Sequence, residues 1–354
     1  MRLGIIGLPQ SGKTTIFNAL TRGHQPLTTS GGRFDVHTGV VDVPDVRVDR
    51  LSALFKPKKT IYAKVTYADI AGLEGSQSAI SGQLLNLLTQ MDGLLHVVRC
   101  FDDTNVPHPS GSVNPLRDIA TMDAELLLND MLAVERKLER LAEEHKKGGG
   151  RERSVIERET ALFERFKEAL SREMPLREIV LTNEEEKTLS GFGFLTRKPM
   201  LVLLNLHEGQ DMPPVEYPHP HSNLAPLQGK LEMEIAQLEP NDAEDFMVEY
   251  GITELGLARV IRVSYDLLGL ISFFTVGDDE VRAWTIHRGS NAYEAAGEIH
   301  TDLQKGFIRA EVIPYDELIA LGGLNEAKTK GRLRLEGKDY VVNDGEIVHI
   351  RFNV

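Results

Sequence analysis

The sequence is poor in cysteine and has no long apolar run, and each scarcity excludes a class of protein. Its single cysteine, Cys100, cannot form an internal disulfide. No stretch reaches the roughly 18 consecutive apolar residues that predict a membrane-spanning helix. The first residues, Met1 to Ile6, leave no room for the apolar segment of a signal peptide before a glycine-rich loop begins. We therefore expect a cytoplasmic protein with no membrane partner.

The chain also has fewer basic residues (40 Lys and Arg) than acidic residues (53 Asp and Glu). The formal net charge is -13, which argues against general adhesion to nucleic acid, and we expect no DNA partner. The proportions of hydrophobic residues (41%) and charged residues (26%) are ordinary for globular proteins. A chain of 354 residues is too long for one ordinary core, so the sequence predicts two or three domains.

One glycine-rich motif carries the strongest chemical signal. The sequence GLPQSGKT at 7–14 follows a short apolar strand and opens a helix. This is the P-loop pattern, in which glycines turn backbone N-H groups inward and the helix N-terminus attracts phosphate. By resemblance to other P-loops, Lys13 contacts the β- and γ-phosphates and Thr14 ligates Mg²⁺. The predicted nucleotide-binding residues of this loop are Gln10, Ser11, Gly12, Lys13, Thr14 and Thr15, and Lys13 is also a predicted catalytic residue.

A second element, Asp69-Ile70-Ala71-Gly72, follows an apolar run and has the DxxG pattern. Asp69 is expected to reach Mg²⁺ through water, and the N-H of Gly72 to sense the γ-phosphate in a catalytic role. The next residue is Leu73, where Ras-like enzymes place a glutamine that orients the attacking water. Leucine cannot do so, which leaves three alternatives: another group positions the water, hydrolysis is slow, or the site only binds nucleotide.

Base recognition is predicted at Asn205-Leu206-His207-Glu208, where related GTP enzymes carry Asn-Lys-x-Asp. An aspartate accepts from guanine N1-H and N2, whereas Glu208 reaches one methylene further and adenine has no N1-H. Glu208 therefore weakens the case for guanine. The supporting backbone element is expected at Gln228-Gly229-Lys230. The predicted base-site residues are Asn205, Leu206, Glu208 and Gly229.

The apolar pattern divides the chain into four parts. Short buried runs predict an α/β nucleotide domain whose first part is 1–121, and a heptad-like pattern predicts an inserted helical hairpin at 122–190, with a glycine tip at 148–150. The buried run at 199–205 predicts that the nucleotide domain resumes over 191–277. Mixed strands and glycine turns predict a small α+β module at 278–354.

These motifs together resemble the YchF or Obg-like ATPase family, over nearly the whole chain. The similar segments are GLPQSGKT, DIAGL at 69–73, HVVRCF at 96–101, NLHE at 205–208, RAWTI at 282–286 and EGKDYVV at 336–342. The resemblance implies a P-loop G domain, an inserted antiparallel coiled-coil hairpin and a C-terminal ubiquitin-like β-grasp (TGS) domain. It also implies ATPase activity and ribosome association.

Two departures from the family pattern suggest a divergent paralogue. The segment 31–39 lacks the usual switch threonine in register, for which Thr28, Thr29 or Thr38 can substitute. The Ser-Ala-Lys element is replaced by Gln228-Gly229-Lys230.

The sequence therefore predicts a regulatory ATPase that slowly hydrolyses ATP, with GTP a possible second substrate and Mg²⁺ a cofactor, and that binds the ribosome or ribosomal RNA through its hairpin and TGS domain. The alternatives are a nucleotide-gated scaffold without significant hydrolysis, a GTP-preferring translation GTPase, and a small-molecule kinase, for which the arginine-rich lid is missing.

A basic segment and a histidine within an apolar run are two further features of the sequence. Between Arg136 and Arg158, eight basic residues face five acidic ones. This segment is either an RNA contact or a solvated helix face. His96, within an apolar run, is expected to be a hydrogen-bonded core histidine.

Overall fold

A computed structural model describes residues 1–25, 36–70, 82–148 and 150–353 of the chain. These residues form two compact units. The first contains 1–39 and 66–257, and the second contains 40–65 and 258–354. Among the described helices, none combines the length and the apolar character that a bilayer crossing requires.

The elements up to residue 205 alternate strands and helices around a long helical insertion. They are β1 (Arg2–Ile6), α1 (Lys13–Thr21), β2 (Val36–Asp42), α2 (Val46–Phe55), β3 (Lys59–Ile61), β4 (Lys64–Ile70), α3 (Gly82–Thr89), β5 (Gly93–Arg99), α4 (Pro115–Lys147), α5 (Arg153–Ser171), α6 (Asn183–Leu189) and β6 (Met200–Asn205).

The remaining elements mix short strands and short helices. They are β7 (Ser222–Leu227), α7 (Gly229–Ala236), α8 (Pro240–Glu249), α9 (Gly256–Leu267), β8 (Leu270–Val276), β9 (Glu280–His287), α10 (Ala292–Ile299), α11 (Thr301–Lys305), β10 (Phe307–Pro314), α12 (Tyr315–Leu321), α13 (Leu324–Thr329), β11 (Arg334–Glu336) and β12 (Glu346–Phe352).

The nucleotide-domain sheet has the strand order β2-β4-β1-β5-β6-β7. The pairs β4–β1, β1–β5, β5–β6 and β6–β7 are parallel. All seven residues of β5 and all six of β6 are buried, as a parallel strand covered on both faces requires. Because parallel strands end at one edge, the phosphate loop after β1, Asp69 at the end of β4 and Asn205 at the end of β6 lie along the same edge of the sheet.

The helical insertion consists of α4 and α5, which pack against each other. Helix α4 begins at Pro115 with Asn114 as its N-cap, and so includes residues that the sequence analysis placed before the hairpin. Its apolar stripe and that of α5 meet in a core rich in aromatic rings. That core includes Val134, Phe163 and Phe166, all of them fully buried.

A buried carboxylate joins α4 to the chain that leads into β6. Asp130 accepts hydrogen bonds from the Leu195 N-H at 2.9 Å, the Thr196 N-H at 2.7 Å and the Thr196 hydroxyl at 2.6 Å. A buried carboxylate with three donors is satisfied, whereas its loss would leave two buried N-H groups unpaired. This contact fixes the base of the helical pair within the first unit.

The second unit is built on a sheet with the order β11-β10-β12-β8-β9-β3. Strands β10 and β12 are antiparallel, β12 and β8 are parallel, and β8 and β9 form an antiparallel pair. The three alanines of α10 that face the sheet are fully buried, which allows the helix to lie close to the strands.

The second unit also contains chain from the N-terminal third. Strand β3 pairs in parallel with β9, and Arg47 on α2 lies over the ring of Phe274, with 5.1 Å between its Cζ and the ring centroid. The same guanidinium donates to Asp45 and to Asp344, each at 2.7 Å. Burial lowers the pKa of Arg47, but the hydrogen bonds and charges of Asp45 and Asp344 outweigh this effect and hold the pKa above its usual value. The segment 40–65 is therefore a structural part of the second unit.

Candidate nucleotide-binding site

The phosphate loop spans the turn between β1 and α1, and two of its glycines are required by close contacts. Gly12 has a φ of 95°, and a Cβ there would lie 2.2 Å from Nδ2 of Asn205. A Cβ on Gly7 would lie 2.4 Å from the carbonyl oxygen of Val97 on β5. Any larger residue at either position would displace the loop from β5 and from β6.

Lys13, the first residue of α1, holds its ammonium group over the loop. Its Nζ donates to the carbonyl oxygens of Gly7 at 3.1 Å and Leu8 at 3.0 Å. The N-terminus of α1 has no side-chain cap and no acidic residue in its first turn. Its N-H groups, the helix dipole and the ammonium group of Lys13 together favour a bound anion such as a phosphate chain.

The predicted metal-side residues lie on adjacent elements. Thr14 is in the first turn of α1, and Asp69 is the residue before the last in β4, where its Cα pairs with that of Ile5 on β1. The carboxylate of Asp69 is buried at 3% exposure. A hydroxyl and a carboxylate are oxygen donors of the kind that Mg²⁺ prefers, so these two residues fit the ion. Gly72, Leu73, Thr28 and Thr29 lie outside the described residues, and Thr38 lies in β2.

Asn205 connects the phosphate loop to the base loop. Its Nδ2 donates to the carbonyl of Ser11 at 2.9 Å, and its Oδ1 accepts from the N-H of Gly229 at 3.2 Å. A Cβ on Gly229 would lie 2.6 Å from that Oδ1 and 2.5 Å from Ile16 of α1. One buried amide side chain therefore fixes the positions of two predicted nucleotide-binding segments.

The base loop after Asn205 is a tight turn. Leu206 is buried in the core, so only its backbone is available to a nucleotide, while Glu208 is exposed. Gln210 holds the turn: its Oε1 accepts from the His207 N-H at 2.9 Å, and its Nε2 donates to the Cys100 carbonyl at 2.6 Å. The sequence analysis did not consider Gln210, because a glutamine in a polar loop has no distinguishing pattern.

A small recess lies beneath the phosphate loop. It is lined by Leu8, Pro9, Ser11, His96, Val97, Val98, Arg99, His108 and Asp118. The sequence analysis missed His108 and Asp118, whose Nε2 and Oδ2 atoms are 2.9 Å apart. Only the fold brings these two residues to the loop.

His96 is buried at 1% exposure, as expected, but its ring is not hydrogen-bonded. Within the described part of the chain, neither ring nitrogen has a partner. Burial, with a smaller effect from the charge of Lys13, lowers the pKa of His96 to about 3. The ring is therefore neutral, with one donor nitrogen and one acceptor nitrogen.

A further histidine, His219, lies next to a carboxylate. Its Nδ1 is 2.6 Å from Oε1 of Glu178. No group of three or more potential metal ligands occurs among the residues that the structure describes.

Comparison with known proteins identifies the family. The chain is 40% identical to the "Ribosome-binding ATPase YchF" of Bacillus subtilis, over 99% of this chain and 99% of that relative. The chain belongs to the YchF family. The protein of the same name from Escherichia coli O157:H7 is 38% identical, over 100% of this chain and 99% of that relative.

A solved YchF structure and two family models agree with this assignment. The Schizosaccharomyces pombe YchF GTPase has a TM-score of 0.86 and 30% identity, covering 99% of this chain and 97% of that one. Residues 270–353 match the model YchF-GTPase_C, described as "Protein of unknown function (DUF933)". Residues 2–137 match the model described as "50S ribosome-binding GTPase". The YchF resemblance of the motifs is confirmed, and so are a G domain and a YchF-type C-terminal domain.

The bridge made by Asn205 generates a prediction for nucleotide affinity. Asn205→Ala leaves the carbonyl of Ser11 and the N-H of Gly229 without their partner, at a cost of about 1–3 kcal/mol for each buried group. We expect ATP to bind at least about tenfold more weakly, because 1.4 kcal/mol corresponds to tenfold. Isothermal titration calorimetry measures the change. Asn223→Ala, on an exposed residue of β7, is the control, and equal affinities in the two variants would refute the bridging role.

Proposed function

We propose that the chain is a P-loop nucleoside triphosphatase that binds ATP in preference to GTP, hydrolyses it slowly and associates with the ribosome. The main support for the proposal is the bridge formed by Asn205. It connects the phosphate loop, which carries Lys13 and leads into α1, to Gly229 of the predicted base site. The nucleotide-binding residues are proposed as Gln10, Ser11, Gly12, Lys13, Thr14, Thr15, Asn205, Leu206, Glu208 and Gly229.

The catalytic contribution of this chain is electrostatic. Lys13 is held at the loop by two carbonyl oxygens, and its charge stabilises negative charge that develops on the transferred phosphoryl group. Thr14 and Asp69 would hold Mg²⁺, which neutralises phosphate charge when it is bound. The N-H of Gly72 is proposed to contact the γ-phosphate. Slow turnover follows from Leu73, which cannot orient water.

The preference for ATP rests on the base loop. Glu208 stands where an aspartate would read guanine, and it is exposed on a turn that Gln210 fixes. Leu206 has no polar side-chain group and is buried, so it supplies only backbone contacts. A site that lacks the aspartate loses its main means of favouring guanine.

The division of the chain into a G domain, a helical hairpin and a TGS domain is also proposed. We propose that α4, which begins at Pro115, and α5 form the coiled-coil hairpin predicted at 122–190. The G domain is proposed to comprise the predicted parts 1–121 and 191–277 without 40–65 and 258–277, which belong to the second unit. The last domain, predicted at 278–354, is proposed to be a TGS domain that also includes β8. The order β9-β8-β12-β10-β11, with β8 and β12 parallel in the centre and α10 on one face, supports a β-grasp fold.

The ribosome is proposed as the partner because relatives are named for ribosome binding and one family model bears a matching description. A cytoplasmic location accompanies that partner. In the connection between α4 and α5, Arg151 forms ion pairs with Glu144 and Glu159. Arg140 and Lys146, in contrast, are exposed and have no ion pair within the described ranges. These two side chains are proposed to contact RNA phosphates.

Hydrolysis is tested by Lys13→Ala under single-turnover conditions. Removal of one charged group that stabilises the transition state is expected to slow formation of ADP by about 100-fold or more. Quench-flow or manual quenching with radiolabelled ATP measures the rate. If the wild type forms product no faster than the variant, the chain is a nucleotide-gated scaffold and the enzyme assignment fails.

Ribosome association is tested by pelleting through a sucrose cushion. The wild type is expected to pellet with ribosomes, and Arg140→Glu combined with Lys146→Glu is expected to reduce the pelleted fraction severalfold by repelling phosphate. Lys187→Glu, a charge reversal on α6, is the control. A wild type that stays in the supernatant at low salt, with or without ATP, contradicts the proposal.

A further inference from the structure

Strand β5 carries a polar residue that the proposed site does not use. All seven residues of β5 are buried. His96 is a polar residue of this strand, and neither of its ring nitrogens has a hydrogen-bond partner within the described residues. Both ring nitrogens are shielded from water. A leucine or valine would fit such a strand without unpaired groups, so the histidine costs stability in the state described.

The phosphate loop carries a matching unpaired group. The hydroxyl of Ser11 is buried, and it too has no hydrogen-bond partner in the described part of the chain. Ser11 and His96 line the same recess beneath the loop. A Cβ built on Gly7 would lie 2.8 Å from this hydroxyl and 2.4 Å from the carbonyl of Val97, so the hydroxyl lies on the side of the loop that faces β5.

The two groups are chemically complementary. A neutral imidazole offers an unprotonated nitrogen, which accepts a hydrogen bond, and a serine hydroxyl donates one. Since the ring stays neutral at any ordinary pH, no change of protonation is needed for the pair to form. A hydrogen bond between them would give a partner to each of two groups that are otherwise buried alone.

We propose that the Ser11 hydroxyl donates a hydrogen bond to His96 when a nucleoside triphosphate binds, and that this bond positions the phosphate loop on β5. The inference rests on the proposed function, because it requires nucleotide at this loop. His96 is a positioning residue that acts through Ser11 and touches no substrate. By linkage, a contact made only in the bound state strengthens nucleotide binding.

The test uses the full chain with Ser11→Ala, His96→Leu and the double variant. Each single variant is expected to bind Mg-ATP about three- to tenfold more weakly, the size of one hydrogen bond. The double variant is expected to be no weaker than either single variant, because both remove the same bond. Without nucleotide, His96→Leu is expected to melt at or above the wild-type temperature, since it removes an unpaired buried group.

Ser264→Ala is the matched control. Ser264 lies on α9, and its hydroxyl is likewise buried with no partner among the described residues, but it does not line the recess. This variant is expected to bind Mg-ATP as the wild type does.

The possible failures are distinguishable. Unchanged affinity in both single variants, or losses that add in the double variant, overturns the proposed bond while leaving nucleotide binding intact. A His96→Leu protein that is less stable without nucleotide also overturns it, because that result shows a structural role. A wild type that binds neither Mg-ATP nor Mg-GTP overturns the proposed function, and the bond with it.

Discussion

The site depends on one buried amide. Asn205 holds the carbonyl of Ser11 with its nitrogen and the N-H of Gly229 with its oxygen. A single side chain therefore fixes the separation between the segment predicted to bind phosphates and the segment predicted to bind the base. The glycines at 12 and 229 follow from this constraint, because a Cβ at either position would collide with the amide. The positions of these two backbone segments are therefore set before any side chain, such as that of Glu208, contacts the base.

The sequence predicted the parts of the site that are set by local chemistry. The loop at 7–14, the strand end at Asp69 and the strand end at Asn205 each follow a buried run, and parallel strands place such ends at one edge. Contacts between distant segments leave no local pattern. His108, Asp118 and Gln210 therefore were not predicted. The expectation for His96 was right about burial and wrong about hydrogen bonding.

The limits of sequence patterns are clearest in the segment 40–65. Its helix and short strand have the composition of an ordinary α/β connection, and the sequence analysis included them in 1–121. Strand β3 instead pairs with β9, and Arg47 binds Asp344 and the face of Phe274. These partners are more than 200 residues away in the chain, as the separation of 297 between Arg47 and Asp344 shows. Only tertiary packing determines this assignment.

This site is proposed to bind a purine nucleoside triphosphate and to favour adenine. Titration of the wild-type chain with Mg-ATP and with Mg-GTP, by calorimetry under identical conditions, tests that claim most directly. We expect saturable binding at one site, with a lower dissociation constant for Mg-ATP than for Mg-GTP. A strong preference for Mg-GTP would contradict the reading of Glu208, and absence of binding for both nucleotides would contradict the site itself.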